Sequence, residues 1–116
     1  MRSDDTCCSV PMFLLTRFES LKEWAGLFNE ACCKHDDRYR GLLPGSWSRE
    51  IADTMFLTEM QKIATKYGAK HGDKAGFLAF LAAKDFYEAV RVGGGPAWRR
   101  SRWTRYKNRL SLFGKQ

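Results

Sequence analysis

The sequence predicts an all-α domain: a compact bundle of three main helices with a basic amphipathic C-terminal helix or arm. Three observations carry this. Apolar residues recur at intervals of three and four over long stretches, as in Leu21, Trp24, Ala25, Phe28, Ala31, Cys32, His35 and Tyr39. Gly41 with Pro44-Gly45, and later Gly93-Gly94-Gly95-Pro96, cut the chain into segments of helix length. No segment shows the strict alternation of a half-buried strand.

Residues 1–18 read as irregular, with a short apolar anchor at Val10-Pro11-Met12-Phe13-Leu14-Leu15. Ser20-Leu21-Lys22-Glu23 is a capping box, in which serine and glutamate satisfy each other's free backbone donors, so the first helix should start there and end at Gly41. A second helix should run from Ser46 or Ser48 to Tyr67, stopped by Gly68, with Ile51, Met55, Phe56, Met60, Ile63, Ala64 and Tyr67 inward. The third spans roughly Asp73 to Val92 and is so rich in Phe77, Leu78, Phe80, Leu81, Phe86 and Val90 that it should be buried on most sides. Beyond the glycine run, Trp103, Tyr106, Leu110 and Phe113 space as one face of an amphipathic basic helix.

The length of 116 residues fits one domain and can bury a core without a metal or a disulfide. No apolar run approaches a membrane span, and no secretory leader pattern stands at the start, so a reducing setting is expected, such as a bacterial cytoplasm or the inside of a virus particle. The net charge of +7 is unevenly spread: residues 1–90 carry 12 Lys/Arg against 13 Asp/Glu, whereas residues 91–116 carry eight Lys/Arg and no acid. A near-neutral body, residues 1–98, is thus followed by a basic, aromatic arm, residues 99–116, of the kind that seeks phosphates or acidic partners.

The four cysteines form two adjacent pairs, Cys7-Cys8 and Cys32-Cys33. Neighbouring cysteines rarely bond each other. Buried free thiols are the favoured reading; a cross-pair disulfide, or a thiolate metal site with His35, stays open, although no C-x-x-C spacing supports zinc.

Two polar residues stand on apolar stripes. His35 lies at the centre of the first helix's stripe, and Asp53 aligns with Phe56, Leu57, Met60 and Ala64 on the second. A carboxylate turned to a core needs a partner. The short connection between these helices implies antiparallel packing, which lets Asp53 reach His35, fix its tautomer and leave the other ring nitrogen free to take a proton from water. Asp36, at the stripe's edge, is placed to bind an oxygen-seeking cation such as calcium. A core histidine merely satisfied by an aspartate is the structural alternative.

Ala31-Cys32-Cys33-Lys34-His35-Asp36-Asp37-Arg38-Tyr39 resembles the catalytic helix of the phospholipase A2 superfamily, and Ile51-Ala52-Asp53-Thr54-Met55-Phe56-Leu57 resembles the helix that supports it. The resemblance implies that His35 is a general base acting through water, Asp36 a calcium ligand, Asp53 the group that orients His35, and Tyr39 a partner of Asp53. The family's glycine-rich calcium loop has no counterpart before this helix, and Arg38 stands where the family has a cysteine. A broader resemblance, over roughly residues 5–98, is to a family of small bacteriophage proteins known only as a domain of unknown function. It rests on Ser9-Val10-Pro11, His35-Asp36-Asp37-Arg38-Tyr39, the stretch from Ser48 to Met60, and Tyr87 to Trp98.

The expected function is therefore a phage-encoded lipid ester hydrolase using a His–Asp pair and water, assisted by calcium. The alternative is a non-catalytic virion or host-interaction protein. The basic arm, with Arg99, Arg100, Arg102, Trp103, Arg105, Tyr106, Lys107 and Arg109, would meet a phospholipid surface or a phage or host protein assembly, with Trp98, Trp103 and Tyr106 at a membrane interface. Nucleic acid ranks lower, because bare phosphate contacts need no aromatic stripe.

Overall fold

The computed structural model describes residues 7–8 and 21–114. Among them every regular element is a helix, and the extents are 46 × 33 × 26 Å: α1 Leu21–Trp24, α2 Asn29–Tyr39, α3 Arg49–His71, α4 Asp73–Gly93, α5 Gly95–Arg100 and α6 Arg102–Gly114. The apolar anchor at 10–15 and Ser20 of the capping box lie outside the described residues.

The long hairpin of α3 and α4 forms the frame. Gly72, with φ +104°, reverses the chain between them. Gly68 does not stop α3, as the sequence suggests; it lies within the helix where α4 crosses closest. A β-carbon built on Gly76 would fall 2.8 Å from the Gly68 α-carbon, so only glycine at this crossing lets the two backbones approach so closely. Close approach also decides which face of α4 turns inward. Gly76, Ala79, Ala82, Ala83, Phe86 and Ala89 are buried, while Phe77, Leu78, Phe80 and Leu81 are exposed. The expectation that α4 is buried on most sides is thus corrected: small residues make the contact, and the large ones face out. On α3 the buried line is Ala52, Asp53, Phe56, Met60 and Ala64, and Ile51 is exposed.

The first helix comes in two pieces. Turns at residues 25–28 separate α1 from α2, with Gly26 inside the break. Phe28, at the start of α2, is wholly buried and meets Phe86 edge to face at 5.7 Å. With Phe56 and Met60 it centres the core, and each such side chain contributes about 1.5–3 kcal/mol. α2 runs antiparallel to α3: Tyr39 meets Asp53, and four residues earlier His35 stacks on Phe56. Arg38, in the place of the expected cysteine, is buried and grips Glu59 of α3 through two parallel bonds of 2.8 and 3.0 Å.

The cysteines are not free thiols. Cys7 pairs with Cys33 and Cys8 with Cys32, with Cα–Cα separations of 5.0 and 5.2 Å, so the two pairs run antiparallel and clamp the segment at residues 7–8 onto α2. All four sulfurs are used, which removes the thiolate metal site with His35. Such bonds persist in oxidising settings, virion surfaces among them, and are rare in a reducing cytoplasm, against the setting expected from the sequence.

The C-terminal basic segment packs on the body through its cations. Arg105 is buried, donates to the carbonyls of Tyr39 (3.1 Å) and Trp98 (2.9 Å), and lies 3.5 Å above the Trp98 ring. Asn108 donates to the Arg40 carbonyl, and Arg109 reaches the Ser46 carbonyl. The bonds to Tyr39, Arg40 and Trp98 satisfy carbonyls left open where α2 and α5 end, and the one to Ser46 reaches the loop before α3. Arg105 therefore leaves the set of surface cations expected to meet a partner. Trp98, half-buried against Tyr39, leaves the membrane-facing set. Of the expected stripe on α6, Trp103, Tyr106 and Leu110 face outward and are more than half exposed, and the Phe113 side chain lies outside what is described.

Candidate functional site

Asp53 is fully buried at the junction of α2, α3 and α4. Its Oδ1 lies 2.6 Å from His35 Nε2 and accepts the Tyr39 hydroxyl at 2.7 Å. Its Oδ2 accepts Arg91 Nη1 at 2.7 Å and lies 3.8 Å from Arg49 Nε. The contact between His35 and Asp53 expected from the sequence is present, as is the bond from Tyr39.

Burial by itself would raise the Asp53 carboxyl, but the hydrogen bonds from His35, Tyr39 and Arg91 and the His35 charge outweigh it and hold the group below the usual carboxylate range. An ionised carboxylate only accepts, so Nε2 of His35 carries a proton, and in the neutral ring Nδ1 is then the nitrogen that keeps its lone pair. Tyr39, pushed well upward by burial and by its bond to Asp53, remains a donor at any working pH. Its hydroxyl also needs the glycine of the α4–α5 joint, since a β-carbon on Gly94 would fall 2.7 Å from it.

The sequence reading missed the two arginines. Arg91 opens the acid-free run 91–116, yet it holds Asp53, and that bond raises its own affinity for its proton. Arg49 stands four residues before Asp53 on α3, a spacing that could have flagged the pair. It donates to the carbonyls of Val90 and Arg91 where α4 ends, a favourable place for a cation. The buried Nε of Arg49 makes no hydrogen bond among the described residues.

His35 packs between Phe56, stacked at 4.5 Å, and Tyr39, at 4.4 Å. It lines a cleft of about 520 Å³, within the size range of small-molecule sites, whereas Asp53 sits behind it. The cleft's walls are mainly apolar and include Phe56, Phe86, Val90 and the Cys8–Cys32 bridge. Asp36 also lines it, beside His35. Calcium takes six to eight oxygen ligands. No group of three His, Cys, Asp or Glu side chains placed to hold a metal occurs among the described residues, and the Asp53 oxygens are already engaged. The donor set around Asp36 therefore does not by itself make a calcium site.

Of the remaining sequence candidates, Arg100 lines the cleft, and Arg99, Arg102, Trp103, Tyr106 and Lys107 are exposed on α5 and α6. Arg109 is half-buried over the Trp47 ring at 4.8 Å. No family model matches the chain, and no curated protein or solved structure matches it either.

The Asp53 carboxyl links stability to pH. Its folded value lies below the unfolded one of about 3.9, so its contribution is complete above that pH and is lost as pH falls through the folded value. Urea unfolding between pH 7 and pH 2 should show a stability loss beginning below about pH 4. Asp53→Asn should flatten that part of the curve, and an unchanged slope would place the acid sensitivity elsewhere.

Proposed function

We propose that this chain is a phospholipase A2-like lipid ester hydrolase. The observation that carries the reading is the 2.6 Å bond from His35 Nε2 to a buried, ionised Asp53, on a histidine that borders an apolar cleft. In this reading Nδ1 takes a proton from a water that attacks the ester carbonyl. Asp53 stabilises the imidazolium that forms, and Nδ1 returns the proton to the leaving alkoxide as the fatty acid is released. The apolar cleft takes the acyl chain. The outward stripe of Trp103, Tyr106 and Leu110, flanked by exposed Arg102 and Lys107, suits an anionic lipid surface.

A second reading keeps its own support. Arg91 and Arg49 give Asp53 two cationic neighbours besides His35, and the cluster ties α2, α3 and α4 together whether or not it turns over a substrate. The chain would then be a non-catalytic phage virion or host-interaction protein, docking through α6. Release of fatty acid from mixed phosphatidylcholine and phosphatidylglycerol vesicles separates the two, measured with calcium and with a chelator. Release that is lost in His35→Ala supports the hydrolase. Loss on chelation would bring in a cation held by Asp36 with oxygens from outside the described residues. No release with calcium, magnesium or zinc supports the second reading.

A further inference from the structure

The residues that both line the cleft and stand exposed mark its rim: Val92, Pro96 and Arg100. Two are apolar and continue the lining outward. The third is an exposed cation, and its setting differs from that of the buried and half-buried arginines nearby. Arg38 is held by Glu59, Arg91 by Asp53, and Arg49 and Arg105 by backbone carbonyls. Arg100 has no ion pair or hydrogen bond among the described residues. The polar side chains facing the same space are His35, Asp36 and Tyr39, all carried by α2, while Arg100 sits at the end of α5.

We infer that Arg100 is a specificity-determining residue that takes the phosphate of an anionic, single-chain or two-chain amphiphile whose apolar chain enters the cleft. A guanidinium offers parallel donors that match two phosphate oxygens, and at the edge of an apolar cleft it is less screened than on open surface. The cleft supplies both halves of such a ligand's chemistry: about 520 Å³ bordered by Phe56, Phe86 and Val90 for the chain, and one unengaged cation at the rim for the head. This deepens the hydrolase reading by naming the residue that would select the substrate's head, and it rests on that reading for the use of the cleft. It does not require turnover.

The test is calorimetric titration of the full chain with decyl phosphate, decyl maltoside and inorganic phosphate, each amphiphile below its micelle concentration. Wild type should bind decyl phosphate at least about tenfold more tightly than either of the others. Arg100→Gln should lose about that factor for decyl phosphate alone, Arg100→Lys should lose less, and Lys84→Gln, an equal charge change on exposed α4 surface, should lose none. Equal affinity for decyl maltoside, equal affinity for inorganic phosphate, no binding at all, or full retention in Arg100→Gln would overturn the proposal. Decyl phosphate binding without any fatty-acid release would sink the hydrolase and leave this site standing. Release that is indifferent to headgroup charge and to Arg100→Gln would do the reverse.

Discussion

Replacing Asp53 with asparagine is expected to cost about 3–5 kcal/mol of stability, the cost of breaking a buried charge cluster by removing one partner. The carboxylate is fully buried and receives His35, Tyr39 and Arg91. An amide keeps one acceptor oxygen, but it turns an N–H₂ either toward Arg91 or toward His35 and Tyr39. It also withdraws the negative charge that Arg91 and Arg49 face. In a domain of this size the melting temperature should fall by roughly 10 °C or more. Circular dichroism melts of the two proteins at pH 7 measure it, and a loss under about 1 kcal/mol would mean that the cluster is solvated in a way its geometry does not suggest.

The second large effect is on turnover. His35→Gln is expected to reduce fatty-acid release by about 10²–10⁴-fold, the range for loss of a positioned general base. Glutamine can still donate to Asp53 from its amide, so most of the helix–helix bond is kept and the melting temperature should fall much less than in Asp53→Asn. Tyr39→Phe removes one of two bonds to Oδ1 and should have a smaller kinetic effect than His35→Gln. An unchanged release rate in His35→Gln would place the base on another residue.

The pairing of His35 with Asp53 was legible because an inward carboxylate and an inward imidazole on neighbouring helices have few other ways to be satisfied. The bond from Tyr39 was implied by the resemblance to the phospholipase A2 catalytic helix, and spacing alone did not show it. Arg91 was not legible: it opens an acid-free run of basic residues, and nothing in composition distinguishes a buried cation from a solvated one. Arg105 was hidden for the same reason, since the aromatic stripe on α6 draws the eye to the face that turns out to be exposed.

The face of α4 was misread because hydrophobicity marks Phe77, Phe80 and Leu81, whereas the contact with α3 is set by how closely two backbones approach. Gly68 and Gly76 permit that approach, and alanines continue it. The break at residues 25–28 was masked because turns with bonds from residue i+3 or i+4 back to residue i preserve nearly the same apolar spacing as a helix. Cross-pairing of Cys7-Cys8 with Cys32-Cys33 depends on where the N-terminal segment lies against α2, which spacing alone does not report.

In the proposed mechanism Asp53 holds the proton on Nε2 of His35 and leaves Nδ1 as the acceptor of a ring that lines the cleft. Nitrogen-15 chemical shifts of the imidazole, measured at a pH where the ring is neutral, report this directly. The expected spectrum shows Nε2 as the protonated, pyrrole-type nitrogen and Nδ1 as the unprotonated, pyridine-type one, with the Nε2 proton strongly deshielded by its short bond to the carboxylate and that deshielding lost in Asp53→Asn. A spectrum with the proton on Nδ1 would contradict the account, because the nitrogen assigned to activate water would then have no lone pair to do it.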